Sequence, residues 1–474
     1  MSRRRRAVIW ILFIGSGLFL VLFVWQVIGY RSSQRVLPPG MTVAGMDVGG
    51  EEVDQALADL ETALAQEIVV TYQEETLRLP PASVGFRFDP EATRAAIDQA
   101  LAERRGFGGF IAHVLRRPRE SPALPAVTVH STDALDAFLS DVAEEYDRPP
   151  RPPVPLLSQL SFRPGQSGYQ LDMDASRQQL TDALRSAVDH EVALVVQVED
   201  APPPRMVQLE TMLTSMVEDF DGIPSIFVKD LQTGEELGIN PDVAYAGMSV
   251  LKIALMVETY RTLDGAPTVT QTTLLSYTIA ESENHTANQL LADIGGGDAD
   301  QGALTLTASM VRLGLVNTFM ASPYDDEILS YSIVTPANAR TDLNTEPDPH
   351  MQTTAQDAGL LLEMIYQCSQ GGGALMIAYP ESFAPEECRE MLTLLTANRI
   401  DSLIEVGVPP GTPVAHKQGL IPDTHADAAI VFSPGGDFVL TIFLYHPTWL
   451  DWDVSNPLMA DIATATYNYY NLAE

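Results

Sequence analysis

Basic residues are scarce in this sequence, and lysine is almost absent. The 474 residues include 63 acidic residues against 28 lysines and arginines, which gives a formal net charge of −35. The lysines are Lys229, Lys252 and Lys417. A surface of this charge repels nucleic acid and anionic lipid wherever the acids are evenly spread, so nucleic-acid binding is not expected. Hydrophobic residues make up 46% of the chain, which excludes a disordered protein and is enough for more than one core.

Cysteine is also scarce, and histidines are not grouped. Cys368 and Cys388 are the two cysteines. A disulfide between them is allowed outside the cytoplasm, and two free buried thiols are equally compatible with the sequence. Neither their spacing nor their neighbours indicate a metal site, and no histidine pair has the spacing of metal ligands. We therefore expect no metal and no cofactor.

A long apolar run is present at the N-terminus. Residues Ala7–Gly29 are apolar except for Ser16 and Gln26, and Arg3–Arg6 precede them. At about 1.5 Å per residue, a helix of this length would reach about 35 Å, against about 30 Å for a hydrocarbon core. A cleaved signal peptide is the alternative, but the run is long for one and no A-x-A-like cleavage site follows. The sequence predicts a single-pass anchor in the cell membrane, with the N-terminus cytoplasmic and the rest of the chain outside.

Residues 37–203 contain an internal repeat at a constant offset of 83 residues. GFRFDPEATRAAIDQAL, which starts at Gly85, aligns without gaps with GYQLDMDASRQQLTDAL, which starts at Gly168. Both copies predict a short strand and then a helix, with Asp89 as the N-cap in one copy and Asp172 in the other. The residues predicted to face inwards are Ala92, Ile97 and Leu101 in the first copy and Ala175, Leu180 and Leu184 in the second.

A second helical stretch precedes each copy, so the region is predicted to form two α+β modules of about 80 residues. The modules resemble the peptidoglycan-binding repeat found ahead of L,D-transpeptidases and vancomycin-resistance W-type proteins. The resemblance covers the segment GMTVAGMDVGG and both G-aromatic-x-apolar-D units. The resemblance implies wall binding, and a spacer that holds the next domain away from the membrane is the alternative. The predicted boundaries are 1–36 for the basic tail and anchor, 37–120 and 121–203 for the two repeats, and 204–474 for a further domain.

From Met206 onwards, the pattern predicts strands near both ends and mostly helices between them. VQLETMLTSMVEDF has the apolar spacing of an amphipathic helix, and SIFVKDLQTGEELGI predicts a hairpin that turns at Thr233-Gly234. ADAAIVFSPGGDFVLTIFLYH predicts a second hairpin, and SNPLMADIATATYNYY predicts a capped terminal helix. The economical fold is an α/β (α+β) domain of three layers, in which the terminal helices cover an antiparallel sheet and a helical subdomain is inserted in the middle.

One lysine follows a serine by three residues within an apolar stretch. In AGMSVLKIALM, Ser249 and Lys252 would lie on the same face of a helix. A neutral lysine can take the proton that a serine hydroxyl must lose to become a nucleophile, and arginine cannot. The lysine pKa must then fall from about 10.4 to near 7, which burial among apolar neighbours can impose. S-x-x-K also occurs on solvated helix faces, but the flanking apolar run argues against that alternative.

Two further short motifs follow Ser249 in chain order. Ser282 and Asn284 form S-x-N in ESENHTANQLL, and Lys417 opens K-x-G in HKQGL, just before a predicted hairpin. In this order, S-x-x-K, S-x-N and K-x-G resemble the penicillin-recognising serine enzymes, and SENHTANQLL resembles the class A β-lactamase form of the middle motif. The resemblance covers nearly all of residues 206–474. It implies a β-lactamase/transpeptidase-like fold and a serine hydrolase that works through an acyl-enzyme.

The resemblance implies a role for each matching residue. Ser249 would be the acylated nucleophile with Lys252 as its base, and Ser282 would pass a proton to the leaving amine. In substrate binding, Asn284 would hold the amide side chain of the substrate, and Lys417 would meet the substrate carboxylate, with Gln418 and Gly419 beside it. The backbone N–H groups of Leu420 and Ser249 would form the oxyanion hole. For Ser282 and Asn284 the alternative is an N-cap of the next helix, which can hold at the same time. For Lys417 the alternative is a charge on an edge strand.

Three departures from the family pattern bear on the mechanism. Glu283 stands where the middle motif has aspartate, and Gln418 stands where the third motif has threonine. The interval from Ser249 to Ser282 is short, so we expect a trimmed helical subdomain. ARTDLNTEPDPHMQTTAQDAGLLL resembles the omega-loop region, and its register puts Arg340 where class A β-lactamases have the glutamate that activates the deacylating water.

A guanidinium cannot act as a base, so this register changes the expected deacylation step. The region expected to govern that step contains Arg340, Asp342 and Asn344, and Asp342 or Glu346 would replace the glutamate only if the loop is re-routed. An inward-pointing Arg340 would also help to keep Lys252 neutral. Acylation would then be efficient and hydrolysis of the acyl-enzyme slow.

Together the motifs predict a membrane-anchored, extracytoplasmic serine hydrolase that is acylated at Ser249 by β-lactams or D-alanyl peptides. An efficient β-lactamase with a rearranged deacylation base is one alternative. A wall-binding or sensory protein without catalysis is another, favoured by Glu283, Gln418 and Arg340. Retention of the serines, lysines and asparagine of all three motifs favours the enzyme.

Overall fold

The computed structural model describes residues 3–102, 106–115, 120–263, 265–326, 333–398 and 402–472. The chain divides into two units, of which the first comprises Met1–Arg151 with Ser167–Ala201 and the second comprises Pro152–Gln166 with Pro202–Glu474. The segment Pro152–Gln166, which the sequence assigns to the second repeat, therefore folds with the second unit.

Helices and strands are numbered here in chain order. The helices are α1 (Arg3–Ser33), α2 (Val53–Leu64), α3 (Pro90–Ala102), α4 (Phe107–Val114), α5 (Thr132–Tyr146), α6 (Met173–Leu184), α7 (Met206–Val217), α8 (Lys252–Thr262), α9 (Val269–Ala280), α10 (Asn284–Ile294), α11 (Ala299–Arg312), α12 (Ala355–Ser369), α13 (Ala374–Ala378), α14 (Pro385–Thr396) and α15 (Trp452–Tyr470). The strands are β1 (Thr42–Val43), β2 (Met46–Asp47), β3 (Ile68–Tyr72), β4 (Glu75–Leu79), β5 (Arg87–Phe88), β6 (Ala123–Leu124), β7 (Thr128–Val129), β8 (Val154–Leu156), β9 (Ser161–Arg163), β10 (Gly168–Leu171), β11 (Glu191–Ala193), β12 (Val196–Glu199), β13 (Ile223–Asp230), β14 (Glu236–Ile239), β15 (Tyr245–Ala246), β16 (Phe319–Met320), β17 (Met351–Thr353), β18 (Val414–Ile421), β19 (Thr424–Val431) and β20 (Phe438–Tyr445).

Helix α1 contains the predicted membrane span Ala7–Gly29. The side chains before Phe13 lie outside the described residues. Across the part of the chain that is described, no helix has both the length and the apolar character needed to cross a membrane. The structure therefore gives no support to the predicted anchor.

In the first unit, each of the two aligned segments forms a short strand and a capped helix. At the start of α3, Asp89 Oδ1 accepts the N–H of Ala92 at 2.9 Å. At the start of α6, Asp172 Oδ1 accepts the N–H of Ala175 at 3.0 Å. Each bond satisfies a backbone N–H that the first helical turn leaves unpaired. Both predicted N-caps are present, while the binding role of the modules stays a prediction.

The inward faces of α3 and α6 differ from the predicted ones by one residue. The predicted positions that are buried are Ile97, Leu101, Leu180 and Leu184. Ala92 and Ala175 are only half-buried, and the next residues, Thr93 and Ser176, are fully buried instead. Each of these hydroxyls accepts the backbone N–H of the residue before a strand, at 2.9 Å for Thr93 and 3.0 Å for Ser176. A buried N–H needs such a partner, which apolar spacing alone does not reveal.

A five-stranded antiparallel sheet in the order β14-β13-β20-β19-β18 organises the second unit. Alternate residues of its strands point to opposite faces. Ile442 and Leu444 of β20 pack in one core with α7 and α15, whereas Phe443 packs in the other core with α8 and α12. Every residue of β19 and β20 is buried, and β20 is almost continuously apolar, whereas β19 also buries three polar side chains. The predicted three-layer arrangement with an inserted helical subdomain is confirmed.

The turn of the first predicted hairpin and the start of the last helix are each set by a single aspartate. Asp230 Oδ1 accepts the N–H groups of Gln232 and Thr233 at 2.7 Å, and Gly234 follows with φ = 78°. Glycine adopts this left-handed conformation without a steric cost. The terminal helix begins at Trp452, before the predicted Ser455, because Asp451 caps it.

Cys368 of α12 and Cys388 of α14 form a disulfide, which decides between the two alternatives left open by the sequence. Both residues are fully buried, so the bond ties two helices together inside the core. It closes a loop with a sequence separation of 20. By the entropy of the loop in the unfolded chain, a cross-link of this span is worth about 3 kcal/mol.

Loss of this cross-link is expected to destabilise the second unit. The paired variant Cys368→Ser/Cys388→Ser should lower the free energy of unfolding by about 3 kcal/mol in denaturant titrations under oxidising conditions. A reducing agent should lower the midpoint of the natural protein and leave that of the variant unchanged. An oxidised protein that unfolds at the same midpoint as the reduced one would contradict the expected contribution.

Candidate active site

Ser249 lies in a 3₁₀ turn, Met248–Leu251, that leads directly into α8. The sequence predicts a helix here, and the tighter turn still brings Ser249 and Lys252 to the same side: Lys252 Nζ lies 3.0 Å from Ser249 Oγ. Met248 has φ = 48°, a left-handed conformation that is costly for a residue with a side chain. The residue before the candidate nucleophile is therefore held in a strained conformation by the structure around it.

Four oxygen atoms surround the amine of Lys252. Its Nζ lies 2.6 Å from Ser282 O, 2.8 Å from Asn284 Oδ1, 3.0 Å from Ser249 Oγ and 3.2 Å from Ser282 Oγ. A neutral amine has two hydrogens and one lone pair. The carbonyl oxygens of Ser282 and Asn284 only accept, so they take the two hydrogens and leave the lone pair for the O–H of Ser249. This arrangement suits a base that deprotonates the serine.

The surroundings of Lys252 favour its neutral form. The side chain is fully buried, and the ring of Tyr324 lies 4.8 Å from its Nζ. Burial lowers the pKa of Lys252 to about 8, although the negative charge of Asp325 acts in the opposite direction. A solvated helix face is thereby excluded as the reason for S-x-x-K.

Ser282 and Asn284 lie at the junction of α9 and α10. Ser282 Oγ donates to Ser249 Oγ at 2.9 Å, and Ser282 adopts a left-handed conformation with φ = 61°. The N-cap of α10 is Glu283, whose side chain makes no capping bond. The alternative role of Ser282 and Asn284 as helix caps is therefore wrong, because their side chains turn towards Ser249 and Lys252. Local strain at Ser282 fits a residue positioned for function.

Lys417 is fully buried on β18, the strand at one edge of the sheet. Its Nζ donates to the backbone carbonyl of Gln418 at 3.0 Å. Burial lowers the pKa of Lys417 to about 7, with a further contribution from the charge of Lys252, and Asp427 opposes both. A charge on an exposed strand edge is therefore not its role. The effect of the Lys252 charge on Lys417 indicates that the two lysines belong to one electrostatic site.

Gly419 lets β18 pass close to Ser249. A Cβ atom at Gly419 would lie 2.8 Å from Met248 Cβ and 3.1 Å from the backbone nitrogen of Ser249. Any larger residue would press on the turn that holds the candidate nucleophile. Leu420 follows with 42% of its surface exposed. The expected oxyanion donors, the N–H groups of Ser249 and Leu420, thus belong to two segments that approach each other closely.

Gln418 turns away from the lysines. Its Oε1 accepts from Asn398 Nδ2 at 2.6 Å, and its buried Nε2 has no hydrogen-bond partner within the described residues. A direct contact of Gln418 with substrate stays a prediction.

Arg340 is held by two aspartates. Its guanidinium donates twice to Asp342, at 3.0 and 2.7 Å, and once to Asp242 at 2.6 Å. These partners raise the pKa of Arg340, while Arg340 lowers the pKa of Asp342 to about 2. Asn344 Oδ1 accepts the N–H of Glu346 at 3.0 Å. In the described residues, none of these side chains is hydrogen-bonded to Ser249 or Lys252, and the charge that shifts the pKa of Lys252 is that of Asp325. The condition under which Arg340 would help to keep Lys252 neutral, an inward-pointing guanidinium, is therefore not met.

Tyr324 lies beside Lys252, where an inward-pointing Arg340 would act. The phenol is buried and donates to Met248 O at 3.1 Å, and burial raises its pKa. Asp325 follows Tyr324 in the chain, and its carboxylate accepts from Asn284 Nδ2 at 3.1 and 3.2 Å. Sequence reasoning missed both residues, since no spacing rule links SPYDDE to a lysine 72 positions earlier. An isolated aromatic-acid pair was the only signal.

A buried ion pair joins β18, the strand that contains Lys417, to the neighbouring strand β19. His416 Nδ1 lies 3.0 Å from Asp427 Oδ1, and its Nε2 lies 3.5 Å from Glu405. Burial acts to lower the pKa of His416, but the two carboxylates prevail and raise it to about 9. The pair supports β18 from beneath the site. Neither here nor anywhere else in the described residues could a group of three or more His, Cys, Asp or Glu side chains hold a metal ion.

The rate of reaction at Ser249 is expected to depend on both lysines. Lys252 must be neutral to accept a proton, so activity rises with pH up to about 8. Lys417 must be charged to bind a carboxylate, so this binding is lost as pH rises through about 7. The second-order rate constant of acylation should therefore follow a bell-shaped pH profile with its maximum between these values.

The pH profile of Lys417→Met separates the two contributions. The variant should react more slowly, and the fall on the alkaline side should disappear while the rise on the acid side remains. An alkaline fall of the same shape in natural protein and variant would contradict the role of Lys417 charge.

Comparison with known proteins identifies a family for the region that contains this site. The beta-lactamase enzyme family matches residues 208–267 and 263–470. No curated protein matches the chain. Among solved structures, a mutant of PBP-A in an acyl-enzyme complex with penicillin G is 19% identical, with a TM-score of 0.44, and covers 57% of this chain and 100% of its own. An ancestral (GNCA) class A beta-lactamase is 20% identical, with a TM-score of 0.42 and coverage of 55% and 98%. The beta-lactamase from Sphaerobacter thermophilus is 17% identical, with a TM-score of 0.42 and coverage of 57% and 99%.

Proposed function

The chain belongs to the beta-lactamase enzyme family, and on that premise we propose that Ser249 is acylated by β-lactams or D-alanyl peptide ends and that the β-lactam adduct is hydrolysed slowly. The observation that carries the proposal is the contact between the buried amine of Lys252 and Ser249 Oγ at 3.0 Å. A lysine whose pKa is lowered to about 8 is neutral in a useful fraction of molecules near neutral pH.

Acylation follows a short proton path. The O–H proton of Ser249 moves to Lys252 Nζ as the serine oxygen attacks the carbonyl carbon of the substrate. The carbonyl oxygen takes up the negative charge, which the N–H groups of Ser249 and Leu420 are proposed to stabilise. The C–N bond then breaks, the nitrogen takes the proton of the Ser282 hydroxyl, and Ser282 recovers a proton from Lys252, 3.2 Å away. No proton is gained or lost overall.

Slow hydrolysis of the adduct is proposed because no general base is placed for it among the described residues. A water molecule needs a general base to attack an ester at a useful rate. Tyr324, beside Lys252, is a neutral phenol whose hydrogen is already donated to Met248. Arg340 is occupied by Asp242 and Asp342. In the described residues, no carboxylate is hydrogen-bonded to Ser249, Lys252 or Ser282. Deacylation therefore has no dedicated general base among these residues.

Two alternatives keep specific support. An efficient β-lactamase with a rearranged base is favoured by Asp325, whose carboxylate lies within hydrogen-bond distance of Asn284. A wall-binding or sensory protein without catalysis is favoured by the departures Glu283 and Gln418. The first alternative predicts rapid turnover that is lost in Asp325→Asn, and the second predicts no reaction at all.

The proposal is tested by labelling the protein with a fluorescent penicillin and following the label on denaturing gels. We expect a labelled band from the natural protein and from Ser215→Ala, which removes an exposed hydroxyl on α7. Ser249→Ala should give no band. In parallel, release of D-alanine from a peptide ending in D-alanyl-D-alanine reports the second substrate class. Absence of both signals in the natural protein would refute the proposed function.

A location outside the cytoplasm is proposed for the catalytic unit. The supporting observation is the disulfide Cys368–Cys388, because such bonds form and persist in oxidising compartments. Arg3–Arg6 and the apolar residues after them remain the sequence-based reason to propose attachment to the cell membrane, and the first unit is proposed to bind peptidoglycan. Recovery of Cys368 and Cys388 as free thiols from intact cells would contradict this location. Failure of the full chain to sediment with isolated cell walls would contradict wall binding.

A further inference from the structure

Asp325 is connected directly to the motif residues of the site. Its two carboxylate oxygens accept from Asn284 Nδ2 at 3.1 and 3.2 Å. Asn284 Oδ1 accepts from Lys252 at 2.8 Å at the same time. The amide of Asn284 therefore links the candidate base to an aspartate that is itself exposed to solvent. The carboxylate is therefore in contact both with the site and with solvent.

The turn that carries Asp325 is firmly attached. The N–H of Tyr324 donates to Asn288 Oδ1 at 2.9 Å, and Asn288 Nδ2 donates to Tyr324 O at 2.8 Å. The phenol of Tyr324 also donates to Met248 O, next to the candidate nucleophile. Asp325 has φ = 62°, which aspartate tolerates better than most residues. These bonds hold the carboxylate at a defined place beside the site.

The described partner of the Asp325 carboxylate is a neutral group. In the described residues, its hydrogen-bond donor is the neutral amide of Asn284, and no lysine, arginine or histidine forms an ion pair with it. The charge of Asp325 acts to raise the pKa of nearby Lys252, but Lys252 serves as a base in its neutral form. A hydrogen bond from a cationic donor to a carboxylate is stronger than one from a neutral donor such as this amide. A positively charged group brought in by a substrate would supply that bond.

We propose that Asp325 makes the site select acyl groups that carry a positive charge beside the amide held by Asn284. This inference rests on the function proposed above, in which the substrate amide carbonyl binds Asn284 Nδ2. The carbonyl oxygen and the Asp325 oxygens then share one nitrogen, so a substituent on the carbon next to that carbonyl lies close to the carboxylate. An ammonium there is attracted, a neutral group is tolerated and a carboxylate is repelled.

Three penicillins that differ only near this carbon test the inference. Ampicillin carries an amine at the position, benzylpenicillin carries hydrogen and carbenicillin carries a carboxylate. The rate constant of acylation is measured by intact mass for each compound, at a pH at which the amine of ampicillin is protonated. In the natural protein we expect ampicillin to react faster than benzylpenicillin and benzylpenicillin faster than carbenicillin, by about three- to fivefold at each step.

Variants at one position assign the preference to Asp325. Asp325→Asn keeps the shape of the side chain and an acceptor for Asn284, and it should react with the three penicillins at similar rates. Asp325→Lys should reverse the order. Glu210→Gln removes an equal charge from an exposed position on α7 and should keep the order of the natural protein. Equal thermal unfolding temperatures of natural protein and Asp325→Asn exclude misfolding as the cause.

The outcomes separate this inference from the proposed function. No adduct with any of the three penicillins refutes the proposed function and the inference with it. Adducts that form at equal rates in the natural protein refute the inference alone. A preference for ampicillin that persists in Asp325→Asn also refutes it, because another group would then recognise the ammonium.

Discussion

Replacing Lys252 by methionine is expected to slow acylation of Ser249 by about 100- to 10,000-fold, the usual contribution of a positioned general base. Methionine fills much of the same buried space without an amine. Ser249 Oγ then keeps only the hydroxyl of Ser282, 2.9 Å away, which is a donor to it and no base. The rate of adduct formation with benzylpenicillin, followed by intact mass, measures the effect.

Two further lysine variants show whether the proton or the charge matters. Lys252→Arg keeps a cation but cannot lose a proton near neutral pH, so it should be as slow as Lys252→Met. Lys229→Met removes a lysine that pairs with Glu236 and Glu363 at 3.2 and 3.0 Å, and it should acylate at the natural rate. Acylation of Lys252→Arg within about tenfold of the natural rate would show that Lys252 does not act as the base.

Replacing Asp427 by alanine is expected to lower the free energy of unfolding by about 3 to 5 kcal/mol, because it leaves a buried charge without its main partner. Asp427 is fully buried, and its second oxygen accepts the N–H of Ile404 at 3.2 Å. In the variant, the imidazolium of His416 would keep only Glu405, at 3.5 Å and 37% exposed. Chemical denaturation of natural protein and variant measures the loss.

The effect of Asp427→Ala should depend on pH in a defined direction. The pKa of His416 is raised from 6.5 to about 9 in the folded protein. The stabilisation is therefore complete below about 6.5 and is lost as the pH rises through about 9. The difference between natural protein and variant should shrink over this range.

Asp342→Ala is the matched control for Asp427→Ala. Asp342 also pairs with a base, Arg340, but it is exposed, so its removal should cost much less. Equal losses in the two variants would contradict the assignment of a special role to the buried pair.

Much of the catalytic unit follows from the sequence because its signals are local. The apolar run of β20 is long, and Gly234 marks the turn of the first hairpin. The three motifs are short, and each places its residues by spacing within one turn or strand. Lys252 could be singled out as a base because its neighbours are apolar and because lysine is so rare in this chain.

The remaining features depend on contacts between distant segments. Tyr324 reaches Lys252 from a loop whose course no periodicity describes, and matching a few letters of the omega-loop region put Arg340 there instead. Two aspartates hold Arg340 elsewhere. In the first unit, Thr93 and Ser176 are buried because they satisfy strand N–H groups, although a hydrophobic pattern assigns the inward places to their alanine neighbours. Polar partners of this kind are specified by tertiary structure.

The lifetime of the adduct on Ser249 tests the account most directly. The full chain is acylated with benzylpenicillin, free penicillin is removed by rapid gel filtration, and the intact mass is followed over time. We predict an added mass of one penicillin that is absent in Ser249→Ala and that persists long after acylation is complete. Rapid hydrolysis of penicillin by the natural protein without any accumulated adduct would contradict slow deacylation. The absence of both the adduct and the hydrolysis product would contradict the account as a whole.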